Sequence, residues 1–350
     1  MAVNDKKVFL YVGKDNVSGN YDTYTEAEIK AFNANEYVLT CGNYPHYLEN
    51  FRELADYVEA VYNLAKKVIE CTRKFVWLGL PRPPEITAPL KSTVYEGYAN
   101  KYILEFIEPI QKRLKALIAP NGNDYYYEYV QGFYMNDEHV QRKHFSWGSG
   151  DKGIENDNGF DTVLSNLLLH PQIKMYSMIS DKLKLSSYGW KKFLWVPYAG
   201  RGGNYDTTFI DIAYIANTTD IFDTVLLQPG VYEHYDPSDP NSGPILKNLD
   251  VIRNSMNIQE VRTRDGQGNT NNQVVRKRSS TKIGCQMEVD PKYSQGIDRF
   301  ITTYNLTKNA LQGNKVTVAN DRHFSFYLDK KTSYTTSLIN NVVNPFFNTL

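Results

Sequence analysis

The chain has 350 residues, with 39 basic against 39 acidic side chains, 41% apolar residues and 22% charged residues. Such proportions are globular, which excludes wholesale disorder and fibrous or collagen-like chains. A formal charge of zero removes any general attraction to nucleic acid or to an anionic membrane surface. At roughly 150 residues per domain the length admits two domains, but a single barrel of alternating strands and helices fits it equally well.

In chain order, short apolar runs rich in β-branched and aromatic residues alternate with longer stretches of helical period. The runs are Lys7–Val12, Tyr37–Thr40, Phe75–Leu80, Tyr127–Tyr134, Phe193–Val196, Phe222–Leu227, Lys282–Met287 and His323–Leu328. Lys315–Ala319 competes with the last of these. Between them, Leu48, Phe51, Ala55, Val58, Tyr62, Ala65 and Ile69 keep the three-four spacing of one buried helical stripe. Tyr102 to Leu117 repeats that pattern, with Pro109 as the expected kink. Further helices are expected within Phe160–Leu185 and at Tyr205–Ala216, Ile245–Met256, Ile297–Leu311 and Tyr334–Phe347.

Eight strands, each followed by a helix, predict an α/β fold of the (β/α)8 TIM barrel type, as one domain over residues 1–350. No G-x-G-x-x-G turn follows the first strand, which removes the usual dinucleotide-binding alternative. A barrel needs roughly 250 residues. The surplus falls mainly in three strand-to-helix loops, Asn136–Phe160, Gly200–Tyr205 and Tyr232–Gly243. These are the loops that build the active face of such a barrel. Arg262–Asn272 precedes a strand instead and is expected to be exposed and mobile.

Barrel enzymes take their catalytic groups from the C-terminal ends of strands. The fourth strand runs out in Gly132-Phe-Tyr-Met-Asn-Asp-Glu138, and the seventh in Gly284-Cys-Gln-Met-Glu-Val-Asp290. Two carboxylates at one barrel mouth are the equipment for glycoside hydrolysis, one donating a proton and the other attacking or activating water. Glu138 is the expected acid/base, its proton held by desolvation, and Glu288 the expected nucleophile. The competing explanation for each is an N-cap or an ordinary partner for arginine. Asp137 and Asp290 are read as structural.

Twenty-seven tyrosines exceed what a core requires, and a phenol ring suits an amphipathic ligand such as a sugar. Tyr134, Tyr198 and Tyr232 stand at or just beyond strand ends, with Asn136 and Gln228 as candidate hydrogen-bonding partners for hydroxyls. Half-buried rim residues would look the same. No H-E-x-x-H pair occurs among the six histidines, and His139 and His144 are weak metal candidates. Cys41, Cys71 and Cys285 are too few and too far apart for a disulfide framework or a cysteine zinc site. Neither a metal nor a cofactor is expected. Gly200-Arg-Gly-Gly203 reads as a loop, and Arg276-Lys-Arg278 as a solvated edge.

Three strings together resemble a known family. Phe193-Leu-Trp-Val-Pro-Tyr198, Phe222-Asp-Thr-Val-Leu-Leu-Gln-Pro229 and Ile283-Gly-Cys-Gln-Met-Glu288 are similar to the W-P-Y, F-D…Q-P and G-x-x-x-E strands of the bacterial domain of unknown function family forty-eight fifty-five. Gly132-Phe-Tyr134…Glu138 is similar to its G-F-Y…E segment. The resemblance spans about Val8 to Asp290. It implies a glycoside-hydrolase-like TIM barrel with Glu138 and Glu288 on the strands that carry acid/base and nucleophile. It also implies a secreted or cell-surface protein, whereas the N-terminus MAVNDKKVFLYVG lacks the apolar region of a signal peptide. Localisation therefore stays open between a chain without classical export and a trimmed one.

The leading expectation is a retaining glycoside hydrolase acting on an oligosaccharide or polysaccharide, with no nucleic-acid partner and no membrane span. The alternative is a non-catalytic carbohydrate-binding, cell-surface or phage-particle barrel, because a fold hosts many functions. Oligomeric state is open.

Overall fold

A computed structural model describes residues 4–11, 13–14, 21–22, 24–40, 51–83, 92–138, 170–199, 205–230, 243–264, 270–271, 275, 277–289, 322–328, 335–348 and 350. Eight parallel strands close into a barrel. They are β1 Asn4–Tyr11, β2 Glu36–Thr40, β3 Phe75–Gly79, β4 Val130–Met135, β5 Lys192–Trp195, β6 Thr224–Leu227, β7 Lys282–Val289 and β8 Arg322–Leu328. Each strand pairs with its neighbour in sequence, and β1 closes the ring on β8 with Asp5 opposite His323. The sequence expectation of a (β/α)8 barrel holds.

The helices among the described residues include α1 Glu26–Ala31, α2 Phe51–Thr72, α3 Ser92–Lys101, α4 Glu108–Lys115, α5 Tyr125–Tyr129, α6 Pro171–Leu183, α7 Tyr205–Thr218 and α8 Gly243–Ile258. Short C-terminal helices α9 Thr335–Leu338 and α10 Asn344–Phe347 follow. The buried face of α2 carries Leu54, Tyr57, Val58, Val61, Leu64, Ala65, Val68 and Ile69, whereas Ala55 of the expected stripe is exposed and Tyr62 only half-buried. Each large side chain so buried contributes about 1.5–3 kcal/mol. Thr25 and Glu28 cap α1 reciprocally, satisfying donors that the first turn leaves open.

Three expectations are refined in detail. Tyr127 to Tyr129 do not belong to β4, because Asp124 accepts the Tyr127 N–H and caps the helical turn α5 instead. At Pro109, the expected kink, the helix changes register. A π-helical turn, Tyr102–Ile107, precedes it, and the Glu108 N–H reaches back five residues to Ile103. That register shift absorbs the donor which proline lacks. The same device recurs at Ile339–Val343, before Pro345. Lastly, Thr263–Arg264 and Thr270–Asn271 pair as a small antiparallel ribbon, so the ends of the Arg262–Asn272 segment are ordered. The expected elements at Lys315–Ala319 and Ile297–Leu311 lie outside the described residues.

Alternation along the strands separates two cores. Val8, Leu39, Phe133, Trp195 and Met287 face the helices, whereas Phe9, Val38, Trp77, Tyr134, Leu194 and Leu226 fill the barrel. Gly132 is what admits the Trp77 ring. A Cβ there would sit 2.7 Å from the indole and 2.1 Å from the Lys192 carbonyl.

The lower interior is charged. Lys7, 1% exposed, points between Glu36 at 2.9 Å and Asp5 at 3.1 Å. The Trp77 indole N–H donates to Glu36 at 2.6 Å, and His323 Nδ1 lies 2.6 Å from Asp5. Burial pushes the Asp5 carboxyl up, but the His323 hydrogen bond and the Lys7 charge outweigh it and hold it well below the usual range.

Candidate active site at the C-terminal mouth

The end of β4 carries the described part of the expected site. Tyr134, Asn136 and Glu138 follow the two-residue step of one strand face. Tyr134 is buried, its ring edge-on to Phe9 with centroids 5.2 Å apart, and its hydroxyl lies 3.3 Å from Asn136 Oδ1. The ring is thus part of the barrel filling. Asn136 and Glu138 are half-buried.

Two hydrogen bonds fix the backbone around Glu138. The Trp195 indole N–H donates to the Asp137 carbonyl at 2.6 Å, and the Tyr198 amide donates to the Glu138 carbonyl at 3.0 Å. Trp195 is itself stacked on Phe222, 5.2 Å away at 19°. Asp137 turns the other way, toward the helices. Its Oδ2 accepts from the Tyr176 hydroxyl at 2.6 Å and from Gln172 Nε2 at 2.7 Å, both on α6. Burial, then the Asp137 charge, drives the Tyr176 phenol far above its ordinary value. Asp137 is structural, as expected, although it anchors a helix rather than capping a loop.

Tyr198 and Gln228 continue β5 and β6 through one further parallel bridge. Both are buried, and Gln228 Nε2 donates to the Val196 carbonyl at 3.0 Å. Glu288 occupies the penultimate position of β7, paired with Tyr327 of β8. Its side chain lies outside the described residues, as do Tyr232, His139, His144 and the Gly200–Gly203 and Arg276 positions. Around the barrel, β5 and β6 stand between β4 and β7.

Sequence reasoning missed Gln286, Trp195 and the α6 pair. Gln286 is 2% exposed, opposite Ser325, and neither Gln286 Nε2 nor Ser325 Oγ has a hydrogen-bond partner among the described residues. An unmatched buried donor costs about 1–3 kcal/mol, which marks this depth of β7 for attention. A polar residue alternating with Cys285 and Met287 was the available signal. Among the described residues no cluster of three or more His, Cys, Asp or Glu can hold a metal. No described helix is long and apolar enough to cross a membrane.

No family model matches the chain, and no curated protein matches it. Solved structures do. The glycoside hydrolase domain of PgaB (BpsB) from Bordetella bronchiseptica superposes with a TM-score of 0.52 at 9% identity, covering 96% of this chain and 98% of that one. PbGH5A, a glycoside hydrolase family 5 enzyme from Prevotella bryantii B14, gives 0.47 at 9% identity over 99% and 93%. A chitinase from Ipomoea carnea gives 0.43 at 12% identity over 97% and 99%. At such identities the likeness concerns the fold alone, a TIM barrel.

Proposed function

We propose that this chain is a carbohydrate-active hydrolase whose C-terminal mouth takes an oligosaccharide or polysaccharide. The observation that carries the reading is the end of β4. There a half-buried glutamate stands three residues beyond the strand, with the backbone around it held by Trp195 of β5 and by Tyr198 just past it. Catalytic groups of barrel enzymes stand at that place. In the mechanism we propose, Glu138 protonates the leaving glycosidic oxygen while Glu288 attacks the anomeric carbon. Water, deprotonated by Glu138, then releases the sugar with retention. Asn136 is the proposed partner of a sugar hydroxyl, with Tyr198, Gln228 and Tyr232 along the same mouth. The full chain acts as one folding unit in this proposal.

The test is a panel of polysaccharides and aryl glycosides against the wild type and two variants. Glu288→Gln should lose turnover on every substrate. Glu138→Gln should keep its first step on aryl glycosides with good leaving groups and regain overall turnover with azide. Near-wild-type rates in both variants would sink the two-glutamate mechanism. Saturable sugar binding without any turnover would transfer the barrel to the non-catalytic class.

A further inference from the structure

Two unmatched polar side chains stand inside the barrel, at the foot of the C-terminal mouth. Cys285 and Met287 of β7, with Phe324 and Phe326 of β8, pack outward in the core that the helices cover. Gln286 and Ser325 alternate with them and so face the barrel interior, where the two are paired in register. Both are buried. Gln286 Nε2 and Ser325 Oγ nonetheless have no hydrogen-bond partner among the described residues.

Their neighbours are either engaged or apolar. Lys7 is paired with Ser325 on its other side, but the ammonium turns to Asp5 and Glu36. Gln228 gives its Nε2 to the Val196 carbonyl, and the Tyr134 hydroxyl lies against Asn136. Phe9, Val196 and Leu226 belong to the apolar filling. Below Gln286 the strand is closed over at Gly284, where a Cβ would lie 2.6 Å from both Leu226 and His323. Two residues further along the strands stand Glu288 and Tyr327, themselves a pair. A ligand group that reaches Gln286 therefore comes from the C-terminal mouth. An unmatched buried donor is a standing cost, and an acceptor brought by a ligand removes it.

We propose that Gln286 and Ser325 are the floor of the sugar site, where they bind a hydroxyl of the saccharide unit and select a neutral sugar over an acidic one. The inference rests on the carbohydrate reading of that mouth. A carboxamide supplies N–H donors beside a carbonyl acceptor, and a serine hydroxyl both donates and accepts, so together they match a hydroxyl. A uronate in the same place would bury its carboxylate among neutral donors and apolar side chains, with Lys7 already committed to two acids.

Ligand-observed NMR titration of the full chain tests this without requiring turnover. The probes are the nitrophenyl glycosides of glucose, galactose, mannose and N-acetylglucosamine, set against those of glucuronic and galacturonic acid. At least one neutral probe should bind saturably, and the acidic probes about tenfold more weakly or not at all. Gln286→Met should weaken the neutral probe about tenfold and Ser325→Ala about threefold. Both variants should also raise the urea midpoint, because each removes a buried polar group that the free protein leaves unmatched. A purely structural role requires the reverse, a lower midpoint with unchanged affinity, and either half of that result overturns the proposal. So does equal binding of the acidic probes, or the absence of saturable binding by any probe. A neutral glycoside hydrolysed equally well by wild type and Gln286→Met would remove this floor and leave the hydrolase standing. Binding that depends on Gln286 without turnover would do the opposite.

Discussion

The two mouths of the barrel hold acidic side chains in opposite situations. At the N-terminal mouth, Asp5 and Glu36 are matched by Lys7, His323 and an indole N–H within 3.1 Å. At the C-terminal mouth, Asp137 accepts from the neutral groups of Gln172 and Tyr176, and Glu138 is fixed through its backbone carbonyl. The first arrangement neutralises charge inside the barrel and serves stability. The second anchors α6 through Asp137 and holds the backbone that carries Glu138. The contrast teaches that burial of acids is common to both ends, while the partner differs: charged groups neutralise Asp5 and Glu36, and neutral donors hold Asp137.

The largest expected effect separates the ends by activity. On a confirmed substrate, Glu138→Gln should lower kcat by about a hundredfold or more with a poor leaving group. Lys192→Gln, at the other mouth, should leave kcat within twofold. Steady-state kinetics on both variants decides it, and equal losses would erase the distinction. Stability should behave inversely. Lys7→Met strands two carboxylates inside the barrel, which should cost about 3–5 kcal/mol in urea unfolding, through one cooperative transition. Glu138→Gln should change that free energy by less than about 1 kcal/mol.

Trp195→Phe keeps most of the packing on Phe222 but leaves the Asp137 carbonyl without its indole donor. A loss of about 1–3 kcal/mol is expected, accompanied by a lower kcat because Glu138 is the next residue. Unchanged kinetics would show that the clamp does not position the glutamate.

The pH dependence sharpens the same comparison with smaller effects. Asp5 titrates lower in the folded chain than its ordinary 3.8. Its contribution is therefore complete above that value and is lost as pH falls below it. Urea unfolding from pH 6 to 3 should show this decline, and it should shrink in Asp5→Asn. Lys191 moves stability in the other direction. Burial brings its ammonium, which donates to the Tyr126 and Val130 carbonyls, down from 10.5 to about 8. A lysine lowered by folding penalises the folded state while it stays charged. Stability should thus rise between pH 8 and 10, and Lys191→Met should flatten that rise.

Local periodicity was enough to locate the eight strands, the helix α2 and the barrel they imply, though not which residues of α2 turn inward, because residue spacing within one element follows from backbone geometry. The same spacing brought Glu138 to the end of β4, and Glu288 to the penultimate residue of β7. It was silent on which alternate face lines the barrel, so Tyr134, a candidate for stacking on a sugar, was not seen to pack on Phe9. Nor did it reveal the charged interior, since Asp5 meets His323 across 318 residues of sequence. Pro109 read as a kink, but the π turn that accompanies it on the same helix was not legible. Those outcomes depend on what stands across the ring and on how neighbouring helices pack. Ring closure, which brings β1 to β8, brings the buried lysine and its acids together, and only the tertiary structure performs it.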